Sequence, residues 1–301
     1  MILLTGGTGF LGSSLLKRLS KEGYEVCCLK RSTSDCKRVE KILDKCLWQN
    51  VEEKEVKDIF KEYSIQMVIH CATDYGRSED NNLHVYQSNI SFPLEILEEA
   101  IKAGCKYFIN TDTFFCKQMN DVWKEDREMY MGEYTKSKYI FRSIVKEQME
   151  KLNIAFINLQ LEHIYGKGDS KEKFVGFLLD SLQSNVEQIK LTEGKQTRDW
   201  TYLEDVLDAY MVVVQNMEKF REGIFYHFEV GTGKETSLRE FVLTAQRISK
   251  SSTKLVFGGK ETKKNELMYS CADNHALLEL GWKPKIDITL GLKEMIGVKN
   301  G

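Results

Sequence analysis

The segment Met1-Ile-Leu-Leu-Thr-Gly6-Gly-Thr8-Gly9-Phe10-Leu11-Gly12 decides the fold of this chain. Residues 2–4 are an apolar run suited to a short buried strand, and Gly6, Gly9 and Gly12 follow at three-residue spacing. An apolar-periodic segment then runs from Phe10 to Leu19. That order is strand, tight turn, helix, and it brings backbone N–H groups and a positive helix end to a place where a pyrophosphate can sit. Glycine suits these positions because a Cβ would obstruct the bend, the approach of a phosphate or the packing of helix on strand. A glycine triplet alone is a weak sign, and the pattern on either side gives it weight.

Outward from this turn the pattern alternates strand and helix. Strands are expected over 24–29, 66–71, 107–110, 154–159 and 225–230, with helices over 51–63, 91–103 and 132–151. Ser91 reads as an N-cap with Pro93 in the first turn of its helix. Such a βαβα order implies an α/β fold with a doubly wound parallel sheet, and ligands of such sheets bind beyond the carboxyl ends of the strands. Residues 1–160, with a returning strand near 224–245, read as a dinucleotide-binding domain. Residues 161–301 read as a smaller α/β substrate domain. Gly231-Thr-Gly233 reads as simple turn chemistry, and the stretch from Gly281 to Pro284 as a turn packing a late helix.

Composition narrows the class. The 301 residues are 42% hydrophobic, enough for a sizeable core, and 2 prolines leave little room for linkers. A net charge of −2 gives no reason to expect nucleic acid or a membrane surface as partner. None of the 8 cysteines falls in a CxxC pair, so buried free thiols are expected and no metal site. Gly6 arrives too soon for a signal peptide, and no apolar stretch approaches the roughly 20 residues that span a bilayer. A soluble cytoplasmic protein is the expectation.

The loops after the strands carry the chemistry. An acidic residue about 20 positions past the glycine turn grips ribose hydroxyls in NAD-binding units. Here Lys30 and Arg31 hold that place, and two cations suit a 2′-phosphate, which points to NADP(H) with NAD(H) as the alternative. His70 sits inside a strand and reads as a hydrogen-bonded core residue. Thr111-Asp112-Thr113 collects hydroxyl and carboxyl groups at a strand end. Tyr134 and Lys138 stand one helical turn apart and face the same way, an arrangement in which an ammonium lowers a phenol pKa from about 10. Glu162 and His163 fall in line with this site. Arg198 can hold a phosphate by a bidentate contact, or it forms a salt bridge to Asp199 or Asp205.

These residues together resemble the extended short-chain dehydrogenase/reductase family, in its nucleotide-sugar epimerase, dehydratase and reductase branch. The matching motifs are Thr5-Gly-Gly-Thr-Gly-Phe-Leu-Gly12, His70-Cys-Ala72, Tyr134-x-x-x-Lys138 and Gln196-x-Arg198-Asp199-Trp-x-Tyr202-x-x-Asp205. The resemblance implies a Rossmann domain whose cofactor contacts are Gly6, Thr8, Gly9, Phe10, Leu11, Gly12, Lys30, Arg31, Cys71, Ala72, Thr73, Asn89, Tyr134, Lys138 and Leu161. It implies Thr111, Tyr134 and Lys138 as the catalytic group, joined by Asp112. Tyr75, Thr113, Glu162, His163 and Arg198 face the substrate, with Arg198 on its diphosphate.

Thr113 stands where dehydratases of this family carry Glu, and Lys30 where the 4-epimerases carry an acid. The combination of Lys30-Arg-Ser, His70-Cys-Ala-Thr-x-Tyr-Gly-Arg77, Asn110-Thr-Asp-Thr-Phe-Phe115 and Gln160-Leu-Glu-His163 looks like the CDP-abequose and CDP-paratose synthases. The implied reaction is NADPH-dependent reduction of the C4 keto group of a nucleotide-linked, CDP-type deoxy sugar by a homodimer. The alternatives are an NAD-dependent 4-epimerase and a dinucleotide-sensing binding protein.

Overall fold

The computed structural model describes residues 1–76, 82–121, 132–262 and 266–298; Arg77 lies outside these residues. Seven strands form the main sheet. They are β1 (Ile2–Thr5), β2 (Val26–Lys30), β3 (Leu47–Asn50), β4 (Met67–His70), β5 (Tyr107–Thr113), β6 (Ala155–Leu161) and, further along the chain, β10 (Phe225–Val230), in the order β3-β2-β1-β4-β5-β6-β10. β1 pairs in parallel with β2 and with β4, and the pairs β2–β3 and β4–β5 are parallel too. Strands of a parallel sheet are covered on both faces, which is why residues 2–4, 26–29 and 67–69 are unbroken apolar runs and all buried. The strand order reverses direction between β1 and β4, so the ends of those two strands, Thr5 and His70, stand side by side at the switch point.

The chain divides into two compact units. The first comprises Met1–Gln160 with Val213–Phe228, and the second Leu161–Val212 with Glu229–Gly301. In the first, α1 (Phe10–Lys21), α2 (Val56–Glu62), α3 (Leu83–Tyr86), α4 (Phe92–Lys102) and α5 (Glu133–Gln148) accompany the sheet. Its core gathers Leu3, Val68, Ile96, Phe108, Phe141 and Phe156. The second unit holds a three-stranded sheet, β11 (Glu235–Ser237), β9 (Thr197–Tyr202), β7 (His163–Tyr165), and a parallel pair, β12 (Lys254–Phe257) with β8 (Gln188–Leu191). Among its helices, α6 (Phe174–Gln183), α7 (Leu238–Ser249) and α8 (Ile288–Ile296) supply Leu178, Phe241 and Leu292 to a core around Trp200 and Tyr202. No helix among the described residues is long and apolar enough to cross a membrane.

Two local expectations are corrected, and one strand is added. Ser91 is no N-cap: it has helical angles (φ −63, ψ −49) and no side-chain cap bond, and helix runs through α3 and a π-type turn, Gln87–Ser91, into α4. The N–H that Pro93 lacks falls where that ladder changes from π to α. β5 does not stop at Asn110 but continues to Thr113, which fixes the alternation of Thr111, Asp112 and Thr113. β3 escapes the apolar pattern because its four residues are only half-buried at the sheet edge. The Gly281 turn buries Trp282, whose indole N–H donates to Asp205 O at 2.8 Å.

Candidate active site

The glycine turn has the steric form its sequence requires. Gly6 sits at φ +70, and a Cβ there would lie 2.6 Å from Ala72 N; one on Gly12 would lie 2.1 Å from Gly6 O. The turn is closed by Gly9 N–H on Gly6 O at 2.9 Å, and α1 begins after Gly9 with no side chain capping it. Thr5 staples this turn to the end of β4, its hydroxyl accepting from Cys71 N–H (3.2 Å) and Ala72 N–H (3.1 Å) and meeting His70 Nδ1 at 2.9 Å. His70 is wholly buried, and burial holds its pKa well below 6.5, as befits a neutral core residue. The crowded, uncapped helix start is a cradle that side chains would fill, and it fits a dinucleotide pyrophosphate. At the ends of β2 and β3, Lys30 lines a cleft of about 550 Å³ with Trp48, Gln49, Asn50, Glu53 and Lys54, while Arg31 is exposed.

Next to this cradle lie the groups of β5 and α5. Lys138 is buried, and its ammonium donates to Thr111 O at 3.1 Å. Tyr134, one turn earlier, is half-buried, rests its ring 4.9 Å from that of Tyr75, and hydrogen-bonds the Thr113 hydroxyl. So the hydroxyl beside the phenol is Thr113. The Thr111 hydroxyl instead donates to Cys71 Sγ at 3.3 Å. The expected lowering of the phenol pKa is corrected as well. Burial pushes the Tyr134 phenol well above 10, only partly offset by the Thr113 bond, and burial also lowers Lys138. Tyr134 is therefore a neutral O–H.

Asn89 supports rather than reaches out. Its Oδ1 accepts from Asp74 N–H (2.8 Å) and the Thr73 hydroxyl (3.3 Å), and its Nδ2 donates to Asp74 O (2.8 Å) and Ser137 Oγ (3.0 Å). With all its hydrogen-bonding capacity engaged, it ties the loop after β4 to α5.

Asp112 is likewise committed within the protein. Its carboxylate is fully buried; Oδ2 takes Arg142 Nη1 at 2.9 Å and Asn158 Nδ2 at 3.0 Å, and Oδ1 takes Thr113 N–H at 2.8 Å. Asn158 in turn accepts from Asn110 Nδ2 at 2.7 Å. Asp112, which the resemblance adds to the catalytic group, is held here in a buried ion pair joining β5 to α5. Arg142 went unnoticed in the sequence, although it stands one further turn along the face of Tyr134 and Lys138.

The second unit has its own polar group. Glu162 is buried and accepts the Ser270 hydroxyl at 2.6 Å. His163 sets its ring edge-on to Trp200 at 4.6 Å, and burial with the charges of Arg198 and Lys173 pushes its pKa down to about 3. Arg198 is 5% exposed and pairs with Glu266 at 2.9 Å, not with Asp199 or Asp205. Those two acids hold loops instead. Asp199 accepts from Thr232 N–H (2.9 Å) and Gly233 N–H (2.8 Å), and Asp205 accepts from Lys285 and Ile286 N–H, each at 2.9 Å. The Gly231 turn is therefore more than a bend, since a Cβ on Gly231 would lie 2.5 Å from Asp199 Oδ2. Glu266 and Ser270 carried no motif that would have marked them.

With the cradle, the Tyr-x-x-x-Lys helix face and the Thr-bearing strand end in place, residues 2–231 match the NAD dependent epimerase/dehydratase family, and the chain belongs to it. It is accordingly an enzyme working with a nicotinamide dinucleotide. The chain is 32% identical to the CDP-abequose synthase of Salmonella typhimurium, over 98% of this chain and 97% of that one. It is 34% identical to the CDP-abequose synthase of Salmonella muenchen, over 99% and 97%. The fold is similar to that of Thermotoga maritima UDP-glucose 4-epimerase solved with UDP-glucose, with TM-score 0.82, 23% identity and coverage of 98% and 97%.

Proposed function

We propose that this chain reduces the C4 keto group of a CDP-linked 4-keto-deoxy sugar with NADPH, in the biosynthesis of surface deoxysugars. The observation that carries the reading is Tyr134, a half-buried phenol on the same helix face as Lys138 and hydrogen-bonded to the Thr113 hydroxyl at the end of β5. The similarity to two CDP-abequose synthases over nearly the whole chain supports the substrate class. Lys30 and Arg31, where an acid would suit NAD, support the phosphorylated cofactor.

When bound, the nicotinamide supplies the hydride. The glycine turn would seat its pyrophosphate, Thr5 would keep the end of β4 beside that turn, and Lys138 would hold a ribose. Tyr134 passes its phenolic proton to the ketone oxygen, Thr113 holds the phenol, and the Thr111 hydroxyl turns from Cys71 Sγ to that oxygen. Glu162, His163 and Arg198 are assigned to the nucleotide sugar, with Arg198 toward its diphosphate, displacing Glu266 as partner. His163, neutral over the physiological range, serves as a hydrogen-bonding group and not as a cation.

We also assign the working form to a cytoplasmic homodimer associating through α4 and α5, whose Ile140 and Ile144 are each 38% exposed one turn apart. The test of function is direct. Purified protein given NADPH and CDP-4-keto-3,6-dideoxyglucose should consume both in equal amounts, and Tyr134→Phe should bind NADPH yet stop turnover. Tightly held NAD on purification together with interconversion of UDP-hexose epimers would replace this reading with the 4-epimerase. NADPH binding without turnover of any 4-keto nucleotide sugar would replace it with a dinucleotide-sensing binder.

A further inference from the structure

The loops after β2 and β3 are tied together by a polar net that the reaction does not use. Glu52 is at its centre, its Oε2 accepting the Ser32 N–H at 2.9 Å. Asn50 organises the rest, its Oδ1 accepting Glu52 N–H (3.1 Å) and its Nδ2 donating to Ser32 Oγ (2.8 Å) and Glu53 Oε1 (2.6 Å). With an acceptor lone pair of Ser32 Oγ so engaged, its hydroxyl proton is available to Glu52, which it also bonds. The Arg31 charge adds its attraction. Arg31 and the Ser32 N–H thus make a seat for an anion, and the present occupant is a carboxylate of the same chain.

We propose that Glu52 sets cofactor selectivity by competing with a phosphate monoester on the adenosine ribose for the Ser32 N–H and the Arg31 charge. This rests on the NADPH reading above. A phosphate dianion brings more charge and three acceptor oxygens, so it displaces the carboxylate, but the displaced Glu52 stays tethered close by through Asn50 and repels it. A dinucleotide without that phosphate leaves Glu52 in place and meets no repulsion. Glu52 therefore narrows the advantage of NADPH over NADH that Lys30 and Arg31 create.

Glu52→Gln isolates the charge, because the amide oxygen still accepts from Ser32 N–H and keeps the loop in place. Binding of NADPH, NADH, 2′,5′-ADP and 5′-AMP is measured by calorimetry on wild type, Glu52→Gln, Arg31→Met and the double variant. The Glu52→Gln change should tighten NADPH and 2′,5′-ADP about five-fold, the size of one partly screened like-charge contact, and leave NADH and 5′-AMP within about two-fold. Arg31→Met should weaken 2′,5′-ADP in both backgrounds. An equal change for all four ligands, or no gain for 2′,5′-ADP, overturns the proposal. A wild type that prefers NADH while Glu52→Gln gains selectively for 2′,5′-ADP defeats the NADPH reading and upholds the role of Glu52. A wild type that prefers NADPH with no selective gain does the reverse.

Discussion

Replacing Arg142 with Met tests whether the strand and helix of the catalytic group are locked by the buried ion pair. The Asp112 side chain is 0% exposed and that of Arg142 11%, so solvent screens the pair little. Removing one partner of such a pair costs about 3–5 kcal/mol, because the other charge stays buried and uncompensated. Asp112 would keep Asn158 Nδ2 and Thr113 N–H as donors, which puts the expected loss near the lower end, about 3 kcal/mol. At roughly 2 °C per kcal/mol for a chain of this size, Tm should fall by about 6 °C. Asp112→Asn alone should also destabilise, leaving the guanidinium unpaired, while Asp112→Asn with Arg142→Met removes both charges and should cost less than the sum by about 2 kcal/mol. The assay is urea unfolding of the four proteins in a double-mutant cycle, with kcat and KM measured on each. Lys138 lies one turn before Arg142, and Thr111 and Thr113 flank Asp112, so kcat should fall about 10–100-fold with KM for NADPH nearly unchanged. Arg142→Lys should restore part of it. Additive effects below about 1 kcal/mol would refute a structural lock and return Asp112 to a direct role at the substrate.

Three further outcomes are expected. Tyr134→Phe should lower kcat by about 10²–10⁴, the usual worth of general acid catalysis, with NADPH affinity by fluorescence titration little changed; an unaltered kcat refutes the proton-donor role. Gly12→Ala should abolish dinucleotide binding, since the added Cβ would fall 2.1 Å from Gly6 O and the turn must open; a wild-type dissociation constant would show the cradle to be elsewhere. Stability should depend on His163, whose folded pKa of about 3 lies below its ordinary 6.5. The depressed value means the unfolded chain takes up the proton first, so the contribution is intact above 6.5. Below that it is lost at about 1.4 kcal/mol per pH unit as pH falls toward 3. His163→Gln should flatten the urea midpoint between pH 6.5 and 5, and an unchanged slope counts against burial as the cause.

The parts of the fold legible in the sequence are those where one local rule decides. Residues 2–4, 26–29 and 67–69 are buried on both faces, so apolar runs alone mark β1, β2 and β4. The glycine turn is legible for the same reason, because Gly6 and Gly12 answer to contacts a Cβ would break within the turn or with the neighbouring strand end. β3 and Ser91 resist, since the first is an edge strand with little burial and the second obeys a helix that begins earlier in the chain.

The site divides in the same way. Tyr134 and Lys138 are four residues apart and reveal themselves by spacing, whereas a charge acquires its role from partners distant in the chain. Asp112 meets Arg142 across 30 residues, and Arg198 meets Glu266 across 68. Nothing in the local sequence of Asp112 separates a carboxylate aimed at a sugar from one aimed at a guanidinium; only the register of α5 on β5 does. The same argument explains the Tyr134 phenol. Spacing predicts a helpful ammonium, but burial acts on both groups, and Lys138 spends a proton on the Thr111 carbonyl. The spacing rule marks where Tyr134 and Lys138 lie, but not the burial that outweighs their attraction.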